Sequence, residues 1–313
     1  MLRIVFMGSP KFSVPSLEQL LINRYRVVAV YTQPDRPSGR GRSLAVSPVK
    51  EAALKWGIPV MQPESLRSAD ALAELAALKP DVIVICAFGQ ILPKALLDIP
   101  TRQCLNVHFS LLPRHRGASP VASAILAGDE FTGISIQLVR YKIDTGPVLA
   151  AASIPISNDD NTGTLTEKLG IIGAHLLQAA LIGWLDGTIE PLNQDESKAT
   201  YFGQVKKEDG EIDWQLPAID IWRRIRAYYP WPGCFTYWRG KPLKINEAYY
   251  LPSEGKNNPG RVIALPPAVD GLGISTGDGI LIVKNIQYAG KKAMTAGEFL
   301  RGQRDFIGAG LPN

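Results

Sequence analysis

Val82-Ile83-Val84-Ile85-Cys86 is a β-branched run that reads as a buried strand, and Cys104-Leu105-Asn106-Val107-His108 is a second one whose end turns polar. Upstream, Ile4–Met7 and Val27–Tyr31 have the same character. Between these four lie Val14–Ile22, Val49–Lys55 and Ala71–Leu78, with apolar residues at helical spacing. Strands alternating with helices predict an α/β fold, a mostly parallel sheet with helices on both faces. A longer helical pattern, Leu165–Leu185, stops at Asp186-Gly187.

Past that stop the pattern changes. From about Thr188 to Lys206 the chain is polar and weakly patterned, as a linker would be. One short helix, Leu216–Ala227, then precedes closely spaced strands at Cys234–Trp238, Lys244–Tyr250, Gly260–Ile263, Gly273–Ser275 and Gly279–Gln287. Turns such as Arg239-Gly240, Asn257-Asn258-Pro259-Gly260 and Gly277-Asp278-Gly279 separate them. This pattern suggests a small β-barrel, and an OB-like one would suit nucleic acid. A β-domain that only packs or dimerises fits the same pattern. The 313 residues suffice for two domains, expected at 1–187 and 207–313 with a linker at 188–206.

Composition narrows the class. With 46% hydrophobic and 20% charged residues, the chain resembles an ordinary soluble protein. The apolar run at the N-terminus is too short for a signal peptide, and no stretch reads as the roughly 18–20 apolar residues of a membrane span. Cys86, Cys104 and Cys234 lie far apart without CxxC spacing, which disfavours a disulfide framework or zinc ribbon and fits the cytoplasm. A net charge of +5 admits a nucleic-acid partner without requiring one.

In an open parallel sheet, ligands bind at the carboxyl ends of the strands. The first turn, Gly8-Ser9-Pro10, lacks G-x-G-x-x-G, so a nicotinamide dehydrogenase is disfavoured. Asn106 and His108 are two apart and share one strand face. A polar pair ending an apolar strand costs folding free energy unless something uses it. It either ties down the following loop or serves chemistry. A metal site built from Cys104, His108 and Asp144 lacks a completing ligand, so no metal is expected. Asp144, in Ile143-Asp144-Thr145-Gly146-Pro147, has the setting of a turn former. Together, though, an amide, an imidazole and a carboxylate supply what acyl transfer to an amine needs. The first two stabilise an oxyanion, while the imidazole and carboxylate handle the proton lost by the attacking nitrogen.

Asn106-Val107-His108-x-Ser110-Leu111-Leu112-Pro113-Arg114-x-Arg116-Gly117, followed by Asp144-Thr145-Gly146-Pro147, resembles the signature of the folate-dependent formyltransferase family. Other segments resemble its methionyl-tRNA branch. They are Phe6-Met7-Gly8-Ser9-Pro10, the run from Thr32 to Arg42, Ala87-Phe88-Gly89-Gln90-Ile91-Leu92-Pro93, Ile212-Asp213-Trp214, Pro230-Trp231-Pro232-Gly233, Gly277-Asp278-Gly279 and Ala289–Met294. The resemblance implies a Rossmann-like formyltransferase domain joined to an OB-like C-terminal barrel. It implies 10-formyltetrahydrofolate as donor and initiator methionyl-tRNA as acceptor, in a cytoplasmic enzyme expected to be monomeric and to have no membrane partner. By motif match, Asn106, His108 and Asp144 would be catalytic. Ser110, Leu111, Leu112 and Pro113 would line the folate site, and the backbone of Gln90, Ile91 and Leu92 would hold the pterin edge.

The loop from Gln33 to Lys50 carries Arg36, Arg40, Arg42 and Lys50 against one acid, Asp35. In the family the corresponding insertion contacts the acceptor end of tRNA, where cations would meet phosphates. Lys206, Lys207, Lys291, Lys292 and Arg304 are further candidates for tRNA contact, and each equally suits plain surface charge. The six tryptophans are expected mostly in the core. Two departures stand out. His115 occupies a position where the family usually has Trp, and Val139-Arg140-Tyr141-Lys142-Ile143 replaces a Met-Asp-x-Gly-Leu pattern, which bears on the shape of the folate pocket. A small-amine formyltransferase acting on sugar nucleotides or purine precursors, and a folate- or RNA-binding protein without catalysis, are the competing readings.

Overall fold

The computed structural model describes residues 2–38, 43–252, 258–266 and 268–313. They form two compact units. The first comprises Met1–Pro120, Phe131–Pro155 and Thr166–Phe202; the second comprises Val121–Glu130, Ile156–Leu165 and Gly203–Asn313.

The first unit is built on a seven-stranded sheet of β1 (Arg3–Gly8), β2 (Arg26–Tyr31), β3 (Val60–Met61), β4 (Val82–Cys86), β5 (Cys104–His108), β6 (Phe131–Leu138) and β7 (Val148–Pro155), in the order β7-β6-β5-β4-β1-β2-β3. Strands β1 to β5 pair in parallel, and β6 and β7 complete one edge antiparallel. The central strands are apolar because both faces are covered: every residue of β4 is buried, as are Ile4 to Met7 of β1. Serines 47 and 68 cap the helices Pro48–Lys55 and Ala69–Ala77, accepting from Lys50 N and Ala71 N. The helix Thr162–Asp186 ends before Gly187, whose φ of +78° is the left-handed stop that Asp-Gly foreshadows.

That helix corrects one expectation. Its 25 residues are long and apolar enough, by length and composition, to cross a membrane. Its leucines are spent on packing instead, with Leu169, Leu177 and Leu181 fully buried, and Gly173 lets it lie close to Val107 and Ile134. The antiparallel pair β6 and β7 is a second departure from the sequence reading, which assigned neither strand.

The stretch read as a linker is divided. The units part between Phe202 and Gly203, not at 187 or 206. Residues 188–202 belong to the first unit. Leu192 bridges Val148, the Thr200 carbonyl accepts from Arg116 N, and Tyr201–Phe202 pairs in parallel with Arg116–Gly117. Their polar composition reflects hydrogen bonding to neighbouring loops rather than a solvated tether.

The second unit carries an antiparallel, OB-like sheet of β8 (Cys234–Trp238), β9 (Lys241–Leu251), β10 (Val262–Ile263), β11 (Leu272–Ser275), β12 (Ile280–Tyr288) and β13 (Met294–Thr295). The order is β8-β9-β12-β11-β10, with β13 on β12. Burial alternates along β8, and β9 shifts register around Glu247, the irregularity that curls such sheets. Trp238 anchors the core with edge-on contacts to Phe299 and Phe306. Phe299 comes from the helix Ala296–Gly302, which Thr295 and Glu298 start with a capping box. Trp214 is also buried, but Trp56 and Trp231 are 49% and 58% exposed, so the tryptophans divide between core and surface. Cys86, Cys104 and Cys234 are free, buried thiols, and burial pushes them up to about 11, about 12 and about 12 respectively.

Candidate active site

Strand order reverses between β1 and β4, which opens a crevice at their carboxyl ends. The loops there are cross-tied. Ser9 Oγ donates to Phe88 O at 3.3 Å and accepts from Gln33 N at 3.0 Å, while Gln33 Nε2 donates to Phe88 O at 3.1 Å. Two strands along, β5 presents Asn106 and His108 on one face, in register with Gln137 and Ser135 of β6.

Asp144 comes to this face from the turn after β6. Its φ of +52° is a left-handed conformation that Asp tolerates better than most residues. Gly146, two residues on, has no room for a side chain, since a Cβ would overlap the Leu138 carbonyl. Asp144 Oδ1 accepts from Gln137 Nε2 at 2.8 Å and Asn106 Nδ2 at 3.4 Å, and lies 3.5 Å from His108 Nδ1. Its Oδ2 accepts from Gly117 N at 2.9 Å. The amide, imidazole and carboxylate singled out in the sequence therefore meet around one carboxylate oxygen.

His108 is 5% exposed, and its Nε2 lies 3.1 Å from the carbonyl of His115. A carbonyl only accepts, so this hydrogen bond requires a proton on Nε2, and a second proton, on Nδ1, would face Asp144. Asn106 keeps one amide hydrogen beyond the one directed at Asp144. It is thus the readier of the two oxyanion donors, and His108 reaches a substrate oxygen through Nε2 only by releasing His115.

The segment Ser110 to Pro113 follows directly. Ser135 Oγ donates to Ser110 O at 2.7 Å and accepts from Leu112 N at 3.0 Å, and Ser110 Oγ donates to Arg114 O at 2.6 Å. These bonds shape the loop and leave Leu111, Leu112 and Pro113 partly exposed. At Gln90, the side chain is committed to Leu66 N and Pro63 O. Among the described residues no backbone–backbone hydrogen bond engages Gln90, Ile91 or Leu92, so their main-chain groups suit the polar edge of a heterocycle.

The basic loop differs from expectation in part. Arg36–Ser38 pairs with Ser43–Ala45 as a hairpin, and Arg36 is exposed. Arg40 and Arg42 lie outside the described residues. Lys50 is not a spare cation: its Nζ donates to Asp35 at 2.5 Å and Gln62 Oε1 at 2.6 Å, and the hydrogen bonds from Lys50 and from Gln62 Nε2 hold the Asp35 carboxyl below its usual range. Lys206, Lys207, Lys291, Lys292 and Arg304 are exposed in the second unit. In the divergent segment, Tyr141, Lys142 and Ile143 are exposed, and Arg140 donates to Gln103 Oε1 at 2.8 Å. Arg140 and Tyr141 border a cavity of about 500 Å³ that begins at Cys104, the opposite end of β5 from His108. Among the described residues no cluster of ligating side chains could hold a metal ion.

The same architecture recurs elsewhere. An N-formyltransferase from Helicobacter canadensis, solved with folinic acid and dTDP-3-aminofucose, superposes with a TM-score of 0.69 at 20% identity, covering 90% of this chain and 99% of that one. Sequence decides the branch. The formyl transferase family matches residues 2–181, and its C-terminal domain matches 204–304. The methionyl-tRNA formyltransferase of Dehalococcoides mccartyi strain 195 is 47% identical over 310 residues, 99% of this chain and 98% of that protein. Its counterpart in Roseiflexus sp. strain RS-1 is 48% identical over 305 residues, 97% of this chain and 93% of that protein. The chain belongs to the methionyl-tRNA formyltransferase family.

As a formyltransferase the chain is an enzyme of one-carbon transfer that uses a folate-derived donor. Two residues at the site escaped the sequence reading. Gln137 sits in Gly133-Ile134-Ser135-Ile136-Gln137-Leu138, where a buried amide among aliphatics was the available signal. Gln194 lay in the stretch taken for a linker. Its Nε2 donates to the carbonyls of Asp144 at 2.8 Å and Gly146 at 2.6 Å.

Proposed function

We propose that this enzyme transfers the formyl group of 10-formyltetrahydrofolate to the α-amino group of initiator methionyl-tRNA, giving formylmethionyl-tRNA for translation initiation. The observation that carries the reading is the meeting of Asn106, His108 and Asp144 within 3.5 Å on one strand face, in a chain of this family. The neutral amine attacks the formyl carbon, and the spare Asn106 amide hydrogen stabilises the oxyanion that develops. His108 Nε2 joins it by exchanging the His115 carbonyl for that more strongly accepting oxygen. As the bond from the formyl carbon to the folate nitrogen breaks, the proton leaving the amine ends on that nitrogen, with His108, Asp144 and a water as the relay. Ser110, Leu111, Leu112 and Pro113 flank the donor, and the main chain of Gln90, Ile91 and Leu92 meets its pterin edge.

The acceptor is held by phosphate contacts from Arg36, Arg40 and Arg42, with Lys206, Lys207, Lys291, Lys292 and Arg304 as further tRNA-facing cations in the C-terminal unit. The enzyme works as a cytoplasmic monomer. The deciding experiment is a formyl-transfer assay with initiator methionyl-tRNA, elongator methionyl-tRNA and an amino-sugar nucleotide side by side. Preferred formylation of the initiator supports the reading; transfer to the sugar alone would replace it with the small-amine alternative. Raising salt from 50 to 200 mM is expected to lower kcat/KM for tRNA roughly tenfold if about two phosphates are neutralised, and Arg36→Ala to reduce that slope by about one. A salt-independent KM for tRNA would remove the cationic loop from the account.

A further inference from the structure

Asp144 is gripped at its backbone as well as at its carboxylate. Gly117 N holds its side chain, and the amide of Gln194 holds its backbone by donating to the carbonyls of Asp144 and Gly146 together. Gln194 is itself fixed at its other end. Its Oε1 accepts from Arg116 Nε at 3.1 Å and Arg116 Nη2 at 2.8 Å. Donors on one side and carbonyls on the other settle which end of the amide faces which way.

Arg116 is fully buried and has no freedom to follow a shift. Its guanidinium bonds Glu196 at 2.7 and 3.0 Å and Tyr201 Oη at 2.6 Å, and its backbone N donates to Thr200 O. The Glu196 carboxylate holds the Arg116 proton more firmly than usual. Because Arg116 is the neighbour of Gly117, the contacts close a circuit: Asp144, Gly117, Arg116, Gln194 and back to Asp144. A non-glycine residue at positive φ persists only where its surroundings enforce it. In this circuit Gln194 is what spans the two carbonyls of the turn.

Resting on the reading of Asp144 given above, we infer that Gln194 is a positioning residue for the formyl-transfer reaction, locking the Asp144 turn so that its carboxylate faces His108 and Asn106. Its side-chain hydrogen bonds go to Arg116 and to the two turn carbonyls, so its loss is expected to displace Asp144 rather than to weaken either substrate's binding. Gln194→Glu keeps an acceptor for Arg116 but removes both donors to the turn, which makes it the sharper variant. Gln194→Ala removes both ends.

The test measures formyl transfer to methionyl-tRNA in the full-length chain. Both variants are expected to lower kcat about tenfold, with KM for the folate donor and for tRNA changed less than about twofold. In an Asp144→Ala background the same Gln194→Glu change is expected to alter the residual single-turnover rate by less than about twofold, since its effect runs through Asp144. The inference is overturned if Gln194→Glu keeps more than about half the kcat, if it raises KM alone, or if its effect persists undiminished without Asp144. Should Asp144→Ala itself turn over near the wild-type rate, the assignment of Asp144 fails first, and the two failures are told apart.

Discussion

An Asp144→Ala enzyme folds and binds both substrates but turns over about 10³-fold more slowly. The carboxylate is the meeting point of the site, accepting from Gln137, Asn106 and Gly117 and facing His108 Nδ1. Its removal leaves the imidazole without a counter-charge and the proton relay without its end. It also leaves donors unpaired, at about 1–3 kcal/mol for each buried one. Thermal melting must therefore accompany the kinetics, and a fall in melting point of a few degrees is compatible with an intact fold. Asp144→Asn is the stricter comparison. It keeps the shape but turns an NH₂ towards either Gly117 N or Gln137 Nε2, so it is expected to be as slow as alanine. Single-turnover rates within about tenfold of wild type for either variant would defeat the assignment.

Asn106→Ala is expected to cost about 10²–10³ in kcat with both KM values nearly unchanged, the pattern of a donor that acts on the transition state. Asp144 remains held by Gly117 and Gln137 in this variant, so the loss isolates the oxyanion interaction. Asn106→Asp distinguishes that role from mere packing. It is isosteric, but it sets a second carboxylate beside Asp144 and presents acceptors to an oxyanion, and should be slower than alanine. An Asn106→Asp enzyme faster than Asn106→Ala would show that Asn106 fills space rather than donating.

The parallel core was plain in the sequence because strands covered on both faces have only aliphatic choices, as Val82–Cys86 illustrates. The antiparallel edge was not. Phe131–Leu138 carries Gly133, Ser135 and Gln137 because one of its faces serves the site, and Val148–Pro155 is too rich in alanine to favour a strand. Missing those strands concealed Gln137, whose partner Asn106 sits opposite in the register. The Asn106–His108 pair was legible as two same-side residues on one strand. Asp144 has the local sequence of a turn, so it was linked to the pair only by the needs of acyl transfer and by motif resemblance, not by any periodicity, before the fold brought them together. Gln194 failed for a different reason. Hydrogen bonds to backbone carbonyls leave no periodicity, and a polar stretch that buttresses a turn looks like one that hangs in water.

The three sequestered sulfurs give this enzyme a built-in chemical clock. Inside the folded chain, with thiolate formation suppressed at Cys86, Cys104 and Cys234, an Ellman titration should stay silent at neutral pH. Opening of the first unit then releases Cys86 and Cys104 to the reagent, and opening of the second releases Cys234. The growth of yellow colour would report how often the molecule opens, with no label or engineered probe.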